Sequence, residues 1–215
     1  MTPSRLCNAH NRLIVDASVL INLLGTGAPL AILHGLNRVF EIDEIALQEV
    51  GVNPATRGSA EGVLNELRKA GVLKVVQMSS KVYDRFLAFA GADAPDDLDD
   101  GEAATLAHAS SDAGYVAVID EKKATRIAAA HKPAIEVLNS LDLLGAPELI
   151  AKFGEDYVAE AVYFALRDAR MRVPHWARQW TAMLVGYPRA AECPGLGEYS
   201  RSRSEVPGPK PHVES

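Results

Sequence analysis

The chain has 215 residues, 48% of them hydrophobic and 23% charged, with a formal net charge of −6. At roughly 150 residues per domain this is one domain with an addition or two small ones, and the composition excludes a wholly disordered chain, a collagen-like chain and a coiled-coil rod. Two cysteines, Cys7 and Cys193, support neither a disulfide scaffold nor a Cys-based zinc site, and they fit a reducing, cytoplasmic setting.

Leu13-Ile14-Val15 is a short apolar run ending at Asp16, the pattern of a fully buried parallel strand. The uncharged stretch over residues 17–37 is long enough to raise the question of a membrane span, but Gly25, Gly27 and Pro29 divide it into two short helices about a turn. No membrane association is therefore expected, and no export signal, since Arg12 and Asp16 interrupt the apolar stretch. Residues 38–42 read as a second strand, and residues 45–50 and 58–70 as helices. Gly71 ends the latter and leads into a third strand over 72–76. Helical spacing returns over 80–90, followed by an acidic loop and a helix from Gly101 to about Ala113. Residues 115–119 form the clearest strand, ending at Asp120-Glu121; a helix over 122–131 and a short strand around 134–137 follow.

This β-α-β alternation predicts the α/β class, with a central parallel sheet covered by helices on both faces. After Ser140 the strand signals stop. Val158, Ala161, Val162, Ala165 and Ala169 mark one helix face, and residues 176–184 a further helical stretch. The expected organisation is a core over 1–140, a C-terminal helical extension over 141–187, and a flexible tail over 188–215. That tail is rich in proline and too poor in apolar surface to offset its ordering entropy.

Ligands of an open parallel sheet bind beyond the carboxyl ends of the strands, and Asp16 and Asp120 both follow strands there. A carboxylate at that edge is costly to bury unless a cation or a donor satisfies it; taken alone, Asp16 has as its lesser reading the cap of the helix starting near Ser18. Glu102 opens the helix that follows Asp99-Asp100-Gly101, where it also suits the positive helix end. Glu49, in Ile45-Ala-Leu-Gln-Glu-Val, reads most simply as part of a solvated face. In the acidic run only Asp100 is expected close to Glu102. Four carboxylates drawn from distant positions repel one another unless a cation such as Mg²⁺ or Mn²⁺ neutralises them. Oxygen donors suit those ions, while the six histidines show no zinc spacing. A negatively charged protein that grips nucleic acid must do so through such an ion or a local basic patch. Arg167, Arg170, Arg172 and Arg178 gather around Trp176 and Trp180, which suits phosphate contacts with base stacking or a solvated basic face with the tryptophans in the core.

Leu13-Ile-Val-Asp-Ala-Ser-Val-Leu-Ile-Asn-Leu-Leu, Ile45-Ala-Leu-Gln-Glu-Val, Leu98-Asp-Asp-Gly-Glu-Ala-Ala-Thr-Leu-Ala and Val116-Ala-Val-Ile-Asp-Glu-Lys-Lys-Ala together resemble the successive motifs of a PIN domain. They look most like a VapC-type toxin branch with a longer C-terminal helical part. The likeness covers about residues 12–140, with a weaker match to about 186. It implies a PIN-like three-layer α/β/α fold and a metal-dependent endoribonuclease, the toxin of a type II toxin–antitoxin pair. Carried over by residue, it makes Asp16, Glu49, Glu102 and Asp120 the catalytic acids, with Asp16, Glu102 and Asp120 holding Mg²⁺ or Mn²⁺. Ser18, Asp100 and Glu121 would support them, and Arg167, Arg170, Arg172 and Arg178 would contact RNA. The implied partners are an RNA substrate, a cognate antitoxin protein and a second copy of the chain. Where many relatives carry Thr-x-Asp after the last strand, this chain has Ile119-Asp120-Glu121, so Glu121 is the alternate to Asp120.

Other readings fare worse on the residues. A haloacid-dehalogenase phosphatase needs a second acid two residues after the first, where Ser18 stands. A response-regulator receiver needs an aspartate after strand three, where Gln77-Met78-Ser79 stands. There is no Gly-x-Ser-x-Gly for a serine hydrolase. A PIN fold serving as a non-catalytic binding module ranks second to the nuclease.

Overall fold

The computed structural model describes residues 4–91 and 97–197. Five strands, β1 (Arg12–Val15), β2 (Val39–Asp43), β3 (Leu73–Val76), β4 (Tyr115–Val118) and β5 (Val137–Leu138), form one sheet in the order β3-β2-β1-β4-β5. Every pairing is parallel. The buried central strand explains the unbroken apolar run that encodes it. Leu13 and Val15 face one core, with Val116 and Val118 beside them, while Ile14 faces the other with Ala117, Ile119 and Val137. Two cores on opposite sheet faces make the expected three-layer α/β/α sandwich.

Helices α1 (Ala17–Gly25) and α2 (Pro29–Leu36) follow β1 and pack into the first core. They are bent by 113° about the predicted turn, and no single helix among the described residues is long and apolar enough to cross a membrane. After β2 come α3 (Glu44–Gln48) and α4 (Glu61–Lys69). The latter starts three residues later than the sequence reading, because Val52 and Ser59 first pair in an isolated bridge. Helices α5 (Ser80–Ala90), α6 (Asp100–Ser111) and α7 (Lys122–Ala130) surround the second core.

Two short helices, α8 (Ser140–Leu144) and α9 (Pro147–Phe153), precede α10 (Glu155–Asp168). A 3₁₀ turn (His175–Ala177), α11 (Arg178–Val185) and α12 (Tyr187–Glu192) follow it. Residues beyond 140 are no separate layer: Leu141, Leu144, Val162, Leu166 and Ala182 share the first core with β1 and α1. The expected tail is corrected at its start. Tyr187–Glu192 is helical, and Ala190, Cys193 and Leu196 are buried against the same core. Proline at the first turn of α12 favours a helix start, which a count of prolines does not register. The rest of the expected tail lies outside the described residues.

Gly25 sets the approach of α10 to α1. A Cβ there would stand 2.6 Å from the Ala169 Cβ, so only glycine admits this contact. The chain leaving α10 is thereby held over the end of β1, and Arg170 turns it through a left-handed conformation (φ 56°) toward the carboxyl edge of the sheet.

Candidate active site

The order β3-β2-β1-β4-β5 reverses direction between β1 and β4, so the crevice of this sheet lies past the ends of those two strands. Asp16 is the first residue after β1. Its backbone N–H still donates to the Val118 carbonyl across the ladder, while its side chain caps α1: Oδ2 accepts from the Ser18 N–H at 3.2 Å and the Ser18 hydroxyl at 2.6 Å. The capping reading and the site reading are therefore the same geometry. On the neighbouring strand, Asp120 is fixed by α1 and α8. Its Oδ1 accepts from the Ser140 N–H at 2.8 Å, and its Oδ2 accepts from the Ser140 hydroxyl at 2.5 Å and from Asn22 Nδ2 at 2.6 Å.

The other two acids arrive from helices. Asp99 caps α6 by accepting from the Glu102 N–H at 2.8 Å, leaving the buried Glu102 side chain one turn above it. Glu49 closes α3, and its carboxylate lies against Gly101 at the start of α6. A Cβ on Gly101 would stand 2.6 Å from Glu49 Oε1 and 3.4 Å from Asp16 Oδ1. The absence of a side chain at 101 is what lets acids from α3 and β1 meet at the start of α6. Behind them, the fully buried Asp43 caps α3 and its Oδ2 lies 2.8 Å from His108 Nε2, locking the end of β2 to α6. This brace places Glu49 and Glu102 on one cleft.

Asp16, Glu49, Asp99, Glu102, Asp120 and Glu121 line this cleft of about 380 Å³, with Arg170 and Arg172 on its rim. Its electrostatics are those of crowded like charges. Burial holds the Asp16 carboxyl above its ordinary range against the hydrogen bonds from Ser18, with Asp99 adding to the rise. Burial does the same for Glu49, reinforced by Asp99 and Asp16. Glu102 is pushed up to about 7 by burial first and then by Asp99 and Asp16. Asp120 is raised by burial despite its three donors, although its surface is less completely covered than that of Asp16.

Of the expected supporting residues, Ser18 bonds Asp16 and Glu121 lines the cleft in an ion pair with Arg172. Asp100 lies exposed in the first turn of α6 and adds to the rise of Glu49 without lining the cleft, which its likewise exposed neighbour Asp99 lines. The signal for Asp99 was available, since an aspartate three residues before Glu102 is a helix cap whose side chain must face the helix end. Asp93 and Asp96 lie outside the described residues. Among the four arginines, Arg170 and Arg172 reach the cleft. Arg167 instead pairs with Asp168 and lies over the Phe164 ring in a separate recess, and Arg178 lines neither. The tryptophans part company as well: Trp180 lies over Gly145, while Trp176 is 52% exposed.

Among the described residues no three His, Cys, Asp or Glu side chains already converge on one ion. Asp120 is turned to Ser140 and Asn22, and Glu49 to Gly101. The donor set still fits a hard divalent cation, because it is all oxygen and its raised carboxylates lose their mutual repulsion when a cation enters. A family model described as a PIN domain matches residues 12–168, most of the chain. No curated protein and no solved structure matches it.

Proposed function

The chain belongs to the PIN-domain family, whose fold is of nuclease type, and from this premise we propose that it is a metal-dependent endoribonuclease. The observation that carries the proposal is the meeting of Asp16, Glu49, Glu102 and Asp120, from four separate segments, in one cleft at the switch point of the sheet. Asp16, Glu102 and Asp120 would hold Mg²⁺ or Mn²⁺, which supplies an activated water and neutralises charge building on the phosphodiester. Ser18, Ser140 and Asn22 fix the rotamers of Asp16 and Asp120, and Asp99 fixes the start of α6 beneath Glu102. Glu49, the most exposed of the four, is free to accept a proton from an attacking water at the cleft mouth. Arg170 and Arg172 give a net-negative protein a cationic rim for the strand.

The finer role we propose is that of a toxin restrained by a cognate antitoxin and acting as a homodimer in the cytoplasm. The purified protein is expected to cleave single-stranded RNA with Mg²⁺ or Mn²⁺, and to lose cleavage on chelation and in Asp16→Asn. A protein that cleaves none of several RNAs with either ion is instead the non-catalytic binding module.

A further inference from the structure

A smaller recess of about 250 Å³ opens on the other side of Asp120. Its floor is apolar, built by Ile119, Val137 and Leu138 at the ends of β4 and β5, and its wall is the exposed ring of Trp176. Three cations border it. Arg5 is held there by the fully buried Asp142, with Nε 3.1 Å from Oδ1 and Nη2 2.5 Å from Oδ2, and its guanidinium carbon lies 5.8 Å from the Trp176 ring centre. Arg172 bonds Glu121, and the exposed Lys122 has no ion-pair partner among the described residues. Asn139 also lines the recess. Its Oδ1 accepts from the Asp142 N–H at 3.0 Å, while its Nδ2 has no partner among the described residues.

A flat aromatic face, an unspent amide donor and surrounding cations select a ligand with a planar π system, acceptors on its edge and an anionic group. A nucleotide has all three. The volume is below the ~300–1,000 Å³ of whole small-molecule sites, so it suits one base rather than a complete cofactor. Asp120 and Arg172 line this recess and the acidic cleft alike, which makes the two contiguous along a strand.

We propose that the recess is a nucleobase subsite for the nucleotide adjoining the scissile phosphate, with the base stacked on Trp176, its edge on Asn139 Nδ2 and a phosphate beside Lys122. Its position next to the cut rests on the nuclease reading; its capacity to bind a base does not.

The test is fluorescence anisotropy with labelled hexa-uridylate and hexa-adenylate on full-length Asp16→Asn protein in EDTA. Under those conditions nothing is cut and the cleft carries one negative charge fewer. Adding Trp176→Ala is expected to weaken binding roughly 5- to 150-fold, the equivalent of ~1–3 kcal/mol per stacked base, while Trp176→Phe keeps most of it. Lys122→Ala is expected to reduce the salt dependence by less than one unit of slope. Binding that Trp176→Ala leaves unchanged, or the absence of any binding, overturns the subsite. If Trp176→Ala weakens binding but no protein cuts RNA with either metal, the nuclease reading fails and the base site stands. If cleavage proceeds and Trp176→Ala changes neither binding nor KM, the subsite fails and the nuclease stands.

Discussion

Glu102 shows how much chemistry one side chain carries here. Its folded-state titration is moved from the usual glutamate range up to about 7, so the folded protein holds that proton more tightly than the unfolded chain. Stability must then fall as pH rises from the usual glutamate range to about 7, and the loss is complete above that window. At about 1.4 kcal/mol per unit the ceiling is ~3 kcal/mol, which water in the open cleft cuts to about 1–2 kcal/mol. In EDTA, Glu102→Gln is therefore expected to melt above wild type at pH 8 and to match it near pH 4.5, with a flatter profile between. Mn²⁺ at ~100 times its dissociation constant is expected to stabilise wild type by about 2.7 kcal/mol and Glu102→Gln by much less. Parallel pH profiles for the two proteins would show that Glu102 bears no such strain. Asp16, Glu102 and Asp120 stood out as candidates in the sequence because they follow strands or open a helix, whereas Glu49, at the end of α3, was reached only through the family resemblance. Asp43 and His108 were not, since a buried pair that braces two elements leaves no local pattern when its members lie 65 residues apart.

Among the elements, α6 does most to assemble the cleft, and it does so through a residue with no side chain. Glycine at the second position of a helix costs up to about 1 kcal/mol relative to alanine, yet here it opens the space that Glu49 occupies. Gly101→Ala is expected to keep or raise the melting temperature while displacing the Glu49 carboxylate, with cleavage falling tenfold or more and the Mn²⁺ shift reduced. Unchanged cleavage in a stably folded Gly101→Ala protein would remove Glu49 from the machinery. The long elements were readable from their periodicity: β1, β4, α5 and α10 lie where the apolar spacing puts them. The short ones were not. Helices α8 and α9 are too brief to show a helical period, and they are set by end signals instead, an Asn139–Asp142 capping box and a proline at the first turn of α9. The left-handed turn at Arg170 likewise leaves no periodic pattern in the sequence to read.

The molecule as a whole closes on its C-terminal helices. Leu196 is 1% exposed and Cys193 fully buried, so truncation after Tyr187 strips the first core of both along with Ala190. Full burial of one leucine-sized side chain is worth ~1.5–3 kcal/mol, and losing the three residues should cost about 3 kcal/mol or more. For a chain of this size that lowers the melting temperature by roughly 6–12 °C, readable by circular dichroism. A truncated protein that melts with the parent would mean these residues add nothing to the core. Composition misjudged this stretch because a handful of prolines hid three apolar residues, Ala190, Cys193 and Leu196, that join the first core.

The bond from Asn22 to Asp120 spans 98 residues of sequence, and that separation sets a timetable. A ribosome adds ~5–20 residues per second, so about 5–20 s pass between the emergence of Asp16 and that of Asp120. Ser140, Arg170 and Arg172 come later still. During that interval the nascent chain holds only part of the cleft, and a fragment released before β4 lacks Asp120, Glu121 and the arginine rim. On the nuclease proposed above, the capacity to cut would therefore arrive only once Ser140, Arg170 and Arg172 have joined the earlier acids, so the complete cleft forms in one late step and not gradually.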